Sequence, residues 1–291
     1  MSVLLGLLAA ATYGSSDFLA GLASRRLPPI VVTAGAQAIC LLVGLIAVLF
    51  YPGDGVGGPV LLWGAASGLG SAGGTFALYR GLGGGEMSVV ATLSGLLTAV
   101  IPVIVGLATG DSLSALAAIG IVAAIPAIGL VSWQTGGASG AAGSGAIWGI
   151  LAGLGFGLLF VGYDRAGSDA GAWPLVVAEA TATLLTIGPA LLALRRVRGA
   201  GARGLEREPA MERRSLTQLL VAGLLAGAAN LSFIVATHNG ELAIVAVLTA
   251  LYPGFTVILA RIVLGERWSG TQKVGLATAL LATVLVSLGS A

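Results

Sequence analysis

Apolar residues run in blocks of about 20 along nearly the whole chain, parted by short polar breaks. The blocks fall at 2–23, 30–50, 60–80, 86–109, 113–133, 144–163, 173–194, 216–236, 241–264 and 271–289. An α-helix of about 20 residues crosses roughly 30 Å of hydrocarbon, and it satisfies its own backbone there. The pattern therefore predicts an all-α integral membrane protein with ten transmembrane helices. The breaks carry turn chemistry, as in "RRLPP", "YPGDGVGGP", "RGLGGGE", "HNGE" and "LGERWSG". One loop is long, 195–215, "RRVRGAGARGLEREPAMERRS", polar and basic. No segment reads as a soluble domain.

Composition agrees. Of the 291 residues, 57% are hydrophobic and 9% charged, against about 25% charged in a soluble domain. Mean hydropathy is +1.01. The net charge of +2 is carried by loops, so lipid rather than nucleic acid is the expected macroscopic partner. The single cysteine, Cys40, allows no internal disulfide. Arg25 and Arg26 follow the first apolar run and no basic residue precedes it. A cleaved signal peptide has the opposite charge order, so the first run is expected to stay as a helix.

Thirteen of the fourteen basic residues lie in loops, or helix ends, after odd-numbered spans: Arg25, Arg26, Arg80, seven arginines from Arg195 to Arg214, Arg261, Arg267 and Lys273. Arg165 alone lies on the other side. By the positive-inside rule, both termini are expected outside and loop 195–215 in the cytoplasm.

The chain overlies itself at a shift of 155, without a gap from about Gly68 to Ser132. Glu86 meets Glu241, Gly110 and Asp111 meet Gly265 and Glu266, Ser114 meets Ser269, and Gly120 meets Gly275. Residues 86–132 show thirteen identities in 47 positions. Near the front, "TYG" (12–14) overlies "GFG" (155–157) at a shift of 143. Each unit, 1–133 and 134–291, holds five spans, so the second copy crosses the membrane inverted. Inverted repeats mark secondary transporters, whose sites lie near the midplane between the copies.

The start "YGSS" (13–16) and the ending "LYPGFTVILARIVLGERWSGTQKVGLATALLATVLVS" (251–287) resemble the EamA-type branch of the drug/metabolite transporter superfamily. The resemblance covers the whole chain. It implies a ten-helix inverted-repeat carrier that exports small metabolites such as amino acids from a bacterial cell across the inner membrane. It also implies a cavity walled by helices 1, 3, 4, 6, 8 and 9, with 5 and 10 buttressing and 2 and 7 peripheral. The chain departs from the pattern in its first half, where "GDS" (110–112) replaces a "GER". Pro102 also lies one turn beyond the position equivalent to Pro253. Both prolines interrupt a span and are candidate hinges.

Polar residues in a span face protein or a watery cavity. Helix 3 carries Ser67, Ser71, Thr75 and Tyr79 at four-residue spacing. Helix 8 offers Asn230, equivalent to Thr75, helix 9 Thr249, Tyr252 and Thr256, and helix 4 Ser88 and Thr92. Helix 1 contributes Tyr13, Ser16 and Asp17, and helix 6 places Phe156 and Phe160 where helix 1 has Tyr13 and Asp17. The expected substrate-binding set is Tyr13, Ser16, Thr75, Tyr79, Thr92, Phe156, Asn230, Thr249 and Tyr252. With no intramembrane Lys, this lining suits an amphipathic or zwitterionic solute rather than a phosphate, which favours Arg clamps.

Asp17 stands eight residues before Arg25, about 12 Å along a helix axis, and so within the hydrocarbon. It is the candidate coupling residue, with a proton as candidate co-substrate. Glu86 and Glu241 open helices 4 and 9 and read as helix caps. Glu179, early in helix 7, is expected to reach the outer interface. Arg261 and Glu266 flank the end of helix 9 and are expected to pair with each other or with loop charges, and His238 reads as an exposed turn residue.

The leading function is secondary export by alternating access, with a monomer sufficient. A multidrug or cation efflux carrier is the near alternative, and an uncoupled facilitator another. An intramembrane hydrolase using Ser67 or Ser71 with His238 is a distant one, lacking a G-x-S-x-G setting. No nucleotide, metal or other cofactor motif is present in the sequence.

Overall fold

A computed structural model describes residues 2–84, 87–108, 114–132, 141–201, 209–239, 252–266 and 268–289. Among them every regular element is helical: α1 (Ser2–Ser24), α2 (Pro29–Phe50), α3 (Gly58–Gly84), α4 (Met87–Ala108), α5 (Ala115–Ser132), α6 (Ala141–Arg165), α7 (Trp173–Gly201), α8 (Pro209–Asn239), α9 (Tyr252–Leu264) and α10 (Gly270–Gly289), with a short 3-10 turn at Ser168–Ala170. Each falls on one predicted span. Three, over Pro29–Phe50, Gly145–Tyr163 and Trp173–Val197, are long and apolar enough to cross a membrane by themselves. Shorter apolar stretches lie in α4, α5, α9 and α10.

The outside is apolar. Leu42, Ile46, Leu49 and Phe50 on α2, Val122 and Ile125 on α5, and Leu184 and Leu192 on α7 are all exposed. In water such faces would be a large liability; against lipid they are the ordinary solvent-facing surface. Small residues sit at the helix crossings, where they let backbones approach, and Leu78, Leu82, Met87, Leu93 and Leu96 fill the interior between them. At the α3–α6 crossing a Cβ on Gly155 would lie 2.6 Å from the Gly74 Cα, and one on Gly70 would strike the Gly155 carbonyl.

α1 packs on α8 and α9, and α6 on α3 and α4. α2 lies on α7 and α8, α7 also on α3, and α5 pairs with α10, which reaches α4. At one end the α2–α3 and α6–α7 turns interlock: Asp54 N–H donates to Asp169 O at 2.9 Å, and Ala172 N–H to Tyr51 O at 3.0 Å. Gly53 and Gly171 have positive φ there, and a Cβ on either would lie 2.5 Å from the opposite backbone.

Candidate functional site

α1 is the spine of the site because two helices reach it through hydroxyls and a glycine. Ser16 Oγ donates to the Ala222 carbonyl of α8 at 2.8 Å. Thr256 Oγ1 of α9 donates to the Gly14 carbonyl at 3.0 Å. A Cβ on Gly14 would lie 2.5 Å from Phe255 Cβ and the Tyr252 carbonyl, so only glycine permits that approach. One turn of α1 is thereby held against both α8 and α9.

This clamp brings Tyr13, Asn230 and Tyr252 together. The Tyr13 hydroxyl donates to Asn230 Oδ1 at 2.6 Å, and the Tyr13 and Tyr252 rings lie 6.0 Å apart at 57°. Asp17, one turn along α1, is buried. The phenols of Tyr13, Tyr79 and Tyr252 lie within its electrostatic range. Tyr79, from α3, is also buried. The result is one carboxyl among three phenols and an amide, drawn from α1, α3, α8 and α9. It can accept a donor such as an ammonium or a proton, and the tyrosine faces favour a cation.

The other expected lining residues take different places. Phe156 on α6 packs on α3, where a Cβ on Gly74 would meet its ring at 3.0 Å. Phe160 stacks edge-on with Tyr163 at 6.3 Å. Thr75 is half-buried on α3 and Thr92 buried on α4. Pro253 is the second residue of α9 and would collide with a Cβ on Gly95 of α4. Pro102 lies within α4, its side chain outside the description. Thr249, Glu86, Glu241 and Asp111 lie outside the described residues.

Helix 3's polar stripe does not line one common space. Ser67 Oγ donates to the Leu159 carbonyl of α6 at 2.9 Å, and Ser71 Oγ donates to Glu179 Oε1 of α7 at 3.2 Å. Two expectations need correction. Glu179 is buried, 6% exposed, because α7 packs on α3 and α2 rather than standing apart. His238 lies in the last turn of α8 (Pro209–Asn239), not in a turn. The sequence carried a signal for Glu179: an acid beside Thr183 and Thr186 on one helical face.

Glu266 also does more than its sequence position suggested. Gly265, at φ +67°, ends α9 and turns the chain so that Glu266 reaches the start of α4. Its Oε1 accepts Met87 N–H at 2.7 Å, and its Oε2 accepts Ser88 N–H at 3.2 Å and the Ser88 hydroxyl. Trp268 Nε1–H donates to Ser88 Oγ at 3.1 Å, while the Arg261 guanidinium lies 5.4 Å from the Trp268 ring centre and donates to the Glu266 carbonyl.

A family model described as the EamA-like transporter family matches residues 143–288, just over half of the chain. The chain belongs to that family. It is thus a membrane-embedded transporter of the drug/metabolite superfamily. Among solved structures, the crystal structure of a protein aligns with it at TM-score 0.57 and 16% identity, over 98% of this chain and 95% of that one. At that identity the likeness shows the fold alone. No curated protein matches.

Proposed function

We propose that this transporter exports small amphipathic metabolites, amino acids foremost, by alternating access across a bacterial inner membrane, with proton exchange at Asp17. The observation that carries the reading is the Asp17–Tyr13–Asn230–Tyr252 cluster, built from α1 of the first half and α8 and α9 of the second. A zwitterion offers its ammonium to the carboxyl and phenols, and its apolar part to the Tyr13 and Tyr252 rings. Among the described residues no arginine or lysine joins the cluster, which disfavours phosphorylated solutes.

The division into inverted halves, 1–133 and 134–291, is supported by the exchange of partners between them. α1 on α8 corresponds to α6 on α3, α1 on α9 to α6 on α4, and α2 on α8 to α7 on α3. The pairs α2–α7 and α5–α10 correspond to themselves. A carrier of two inverted halves exposes one central site to each side in turn. The charge asymmetry of the loops favours both termini outside and loop 195–215 in the cytoplasm.

The carboxyl among aromatic faces also favours a second reading, efflux of organic cations. Uptake by liposomes holding the purified protein separates the two. Amino acids and cationic dyes are offered with and without an imposed pH gradient, to wild type and Asp17→Asn. Gradient-accelerated amino-acid movement, lost in Asp17→Asn, is the expected result. Movement of dyes alone would favour the second reading. Gradient-independent transport, unimpaired in Asp17→Asn, would make the protein a facilitator.

A further inference from the structure

The α2–α7 seam holds a run of buried polar groups that the cluster around Asp17 does not use. Glu179, Thr183 and Thr186 share one face of α7 at i, i+4 and i+7. Gln37 faces Thr186 from α2: its Oε1 lies 2.9 Å from Thr186 Oγ1, whose hydroxyl shares its one hydrogen between that amide and the Ala182 carbonyl at 2.7 Å. One turn before Gln37, Thr33 is fully buried and donates to the Pro29 carbonyl at 2.9 Å, at the first turn of α2. The run therefore extends from Glu179 to the molecular end that carries Arg25 and Arg26.

Three atoms along it are buried and without a hydrogen-bond partner among the described residues: Glu179 Oε2, Thr183 Oγ1 and Gln37 Nε2. Threonines in apolar helices ordinarily satisfy themselves on the carbonyl one turn back, as Thr98, Thr181, Thr278 and Thr283 do here. Thr183 does not. Unpartnered donors and acceptors at three successive levels of one seam are costly in a dry interior. Each can be satisfied by water or a proton carried between them.

Groups facing Glu179 are neutral or acidic. Ser71 and Tyr79 come from α3, Cys40 from α2, Tyr163 from α6, and Tyr13 lies beyond on α1. Among the described residues the Ser71 hydroxyl is the hydrogen-bond partner of the Glu179 carboxyl and no basic side chain pairs with it, so a proton is the available counter-charge.

We propose that the α2–α7 seam is a proton path, with Gln37, Thr186 and Thr183 relaying protons between Glu179 and the basic-loop end. A hydronium at that end gives up its proton and is left as water. The proton bonds to Oε2, while Oε1 stays held by the Ser71 hydroxyl. Glu179 is then a second proton-carrying acid, beside the substrate cluster but reached separately from it. The proposal rests on the carrier reading for its use, not for its existence.

Infrared difference spectra of the full-length protein in lipid nanodiscs, taken between acid and alkaline pH, test it without any substrate. One component of the protonated-carboxyl band is expected to titrate in wild type, to be lost in Glu179→Gln, where the Asp17 component remains, and to survive in Asp17→Asn. Ser71→Ala, which keeps the acid, shifts the band's frequency by removing its hydrogen bond. In Thr183→Val combined with Gln37→Leu, proton–deuteron exchange of the band slows about tenfold, as expected for a broken relay. A band unchanged in both Glu179→Gln and Ser71→Ala overturns the acid, and an unchanged exchange rate overturns the path. If the band behaves as stated but liposomes transport nothing, the carrier reading fails and this one stands.

Discussion

Glu266 closes the start of a helix far away in sequence: its Oε1 accepts the Met87 backbone N–H at 2.7 Å. The first turn of α4 has backbone N–H groups with no partner of their own, and a carboxylate there is further favoured by the helix dipole. α9 is thus tied to α4 through one side chain beyond its C-terminal glycine. Glu266→Ala should lower stability by about 1–2 kcal/mol, the range for losing a helix cap. Thermal unfolding of the purified protein measures this, and an unchanged midpoint would mean that water replaces the carboxylate at no cost.

Gly14 is a point of close approach between α1 and α9. Gly14→Val forces the helices apart and should destabilise by about 1–3 kcal/mol, as overpacking does elsewhere. Gly73, also on a helix, has nothing within 4 Å of a built Cβ. Gly73→Ala should be neutral or stabilise by up to about 1 kcal/mol through helix propensity. Equal effects in the two variants would contradict the assigned crossing.

Tyr13→Phe removes one hydroxyl and leaves the ring beside Tyr252. The amide of Asn230 then loses a partner worth about 1 kcal/mol, and its orientation is no longer held. If that amide contacts solute, KM rises about fivefold, the equivalent of that energy, with kcat little changed. A fall in kcat with constant KM would instead give the Tyr13–Asn230 bond a part in the conformational change.

Cys40 is the sole cysteine and is buried, its thiol 3.8 Å from the Gly223 carbonyl. Charged maleimides should therefore leave the wild-type protein unlabelled. Single cysteines placed at Arg196 and Asp54, in a Cys40→Ala background, should label from opposite sides, Arg196 from the cytoplasm. Labelling of Arg196→Cys from outside intact cells would invert the topology read from the loop charges.

The ten helical segments were legible from sequence because lipid leaves the backbone little choice: each apolar block must satisfy its own N–H and C=O groups. Family membership was legible in "LYP" and "LGER", motifs that end one half. The grouping of Tyr13, Asp17, Asn230 and Tyr252 was partly legible, since spacing placed them on the inward faces of their helices. What spacing could not supply was which helices touch. Glycines at Gly14, Gly70, Gly74 and Gly155 decide that, through crossings whose closeness depends on both partners at once. Hence Ser67 and Ser71, one stripe in sequence, serve different neighbours, Leu159 and Glu179. Glu179 was read as an outward acid because its depth along α7 alone does not say what covers it. Packing of α7 against α3 and α2 buries it, and only tertiary structure decides a contact between helices a hundred residues apart.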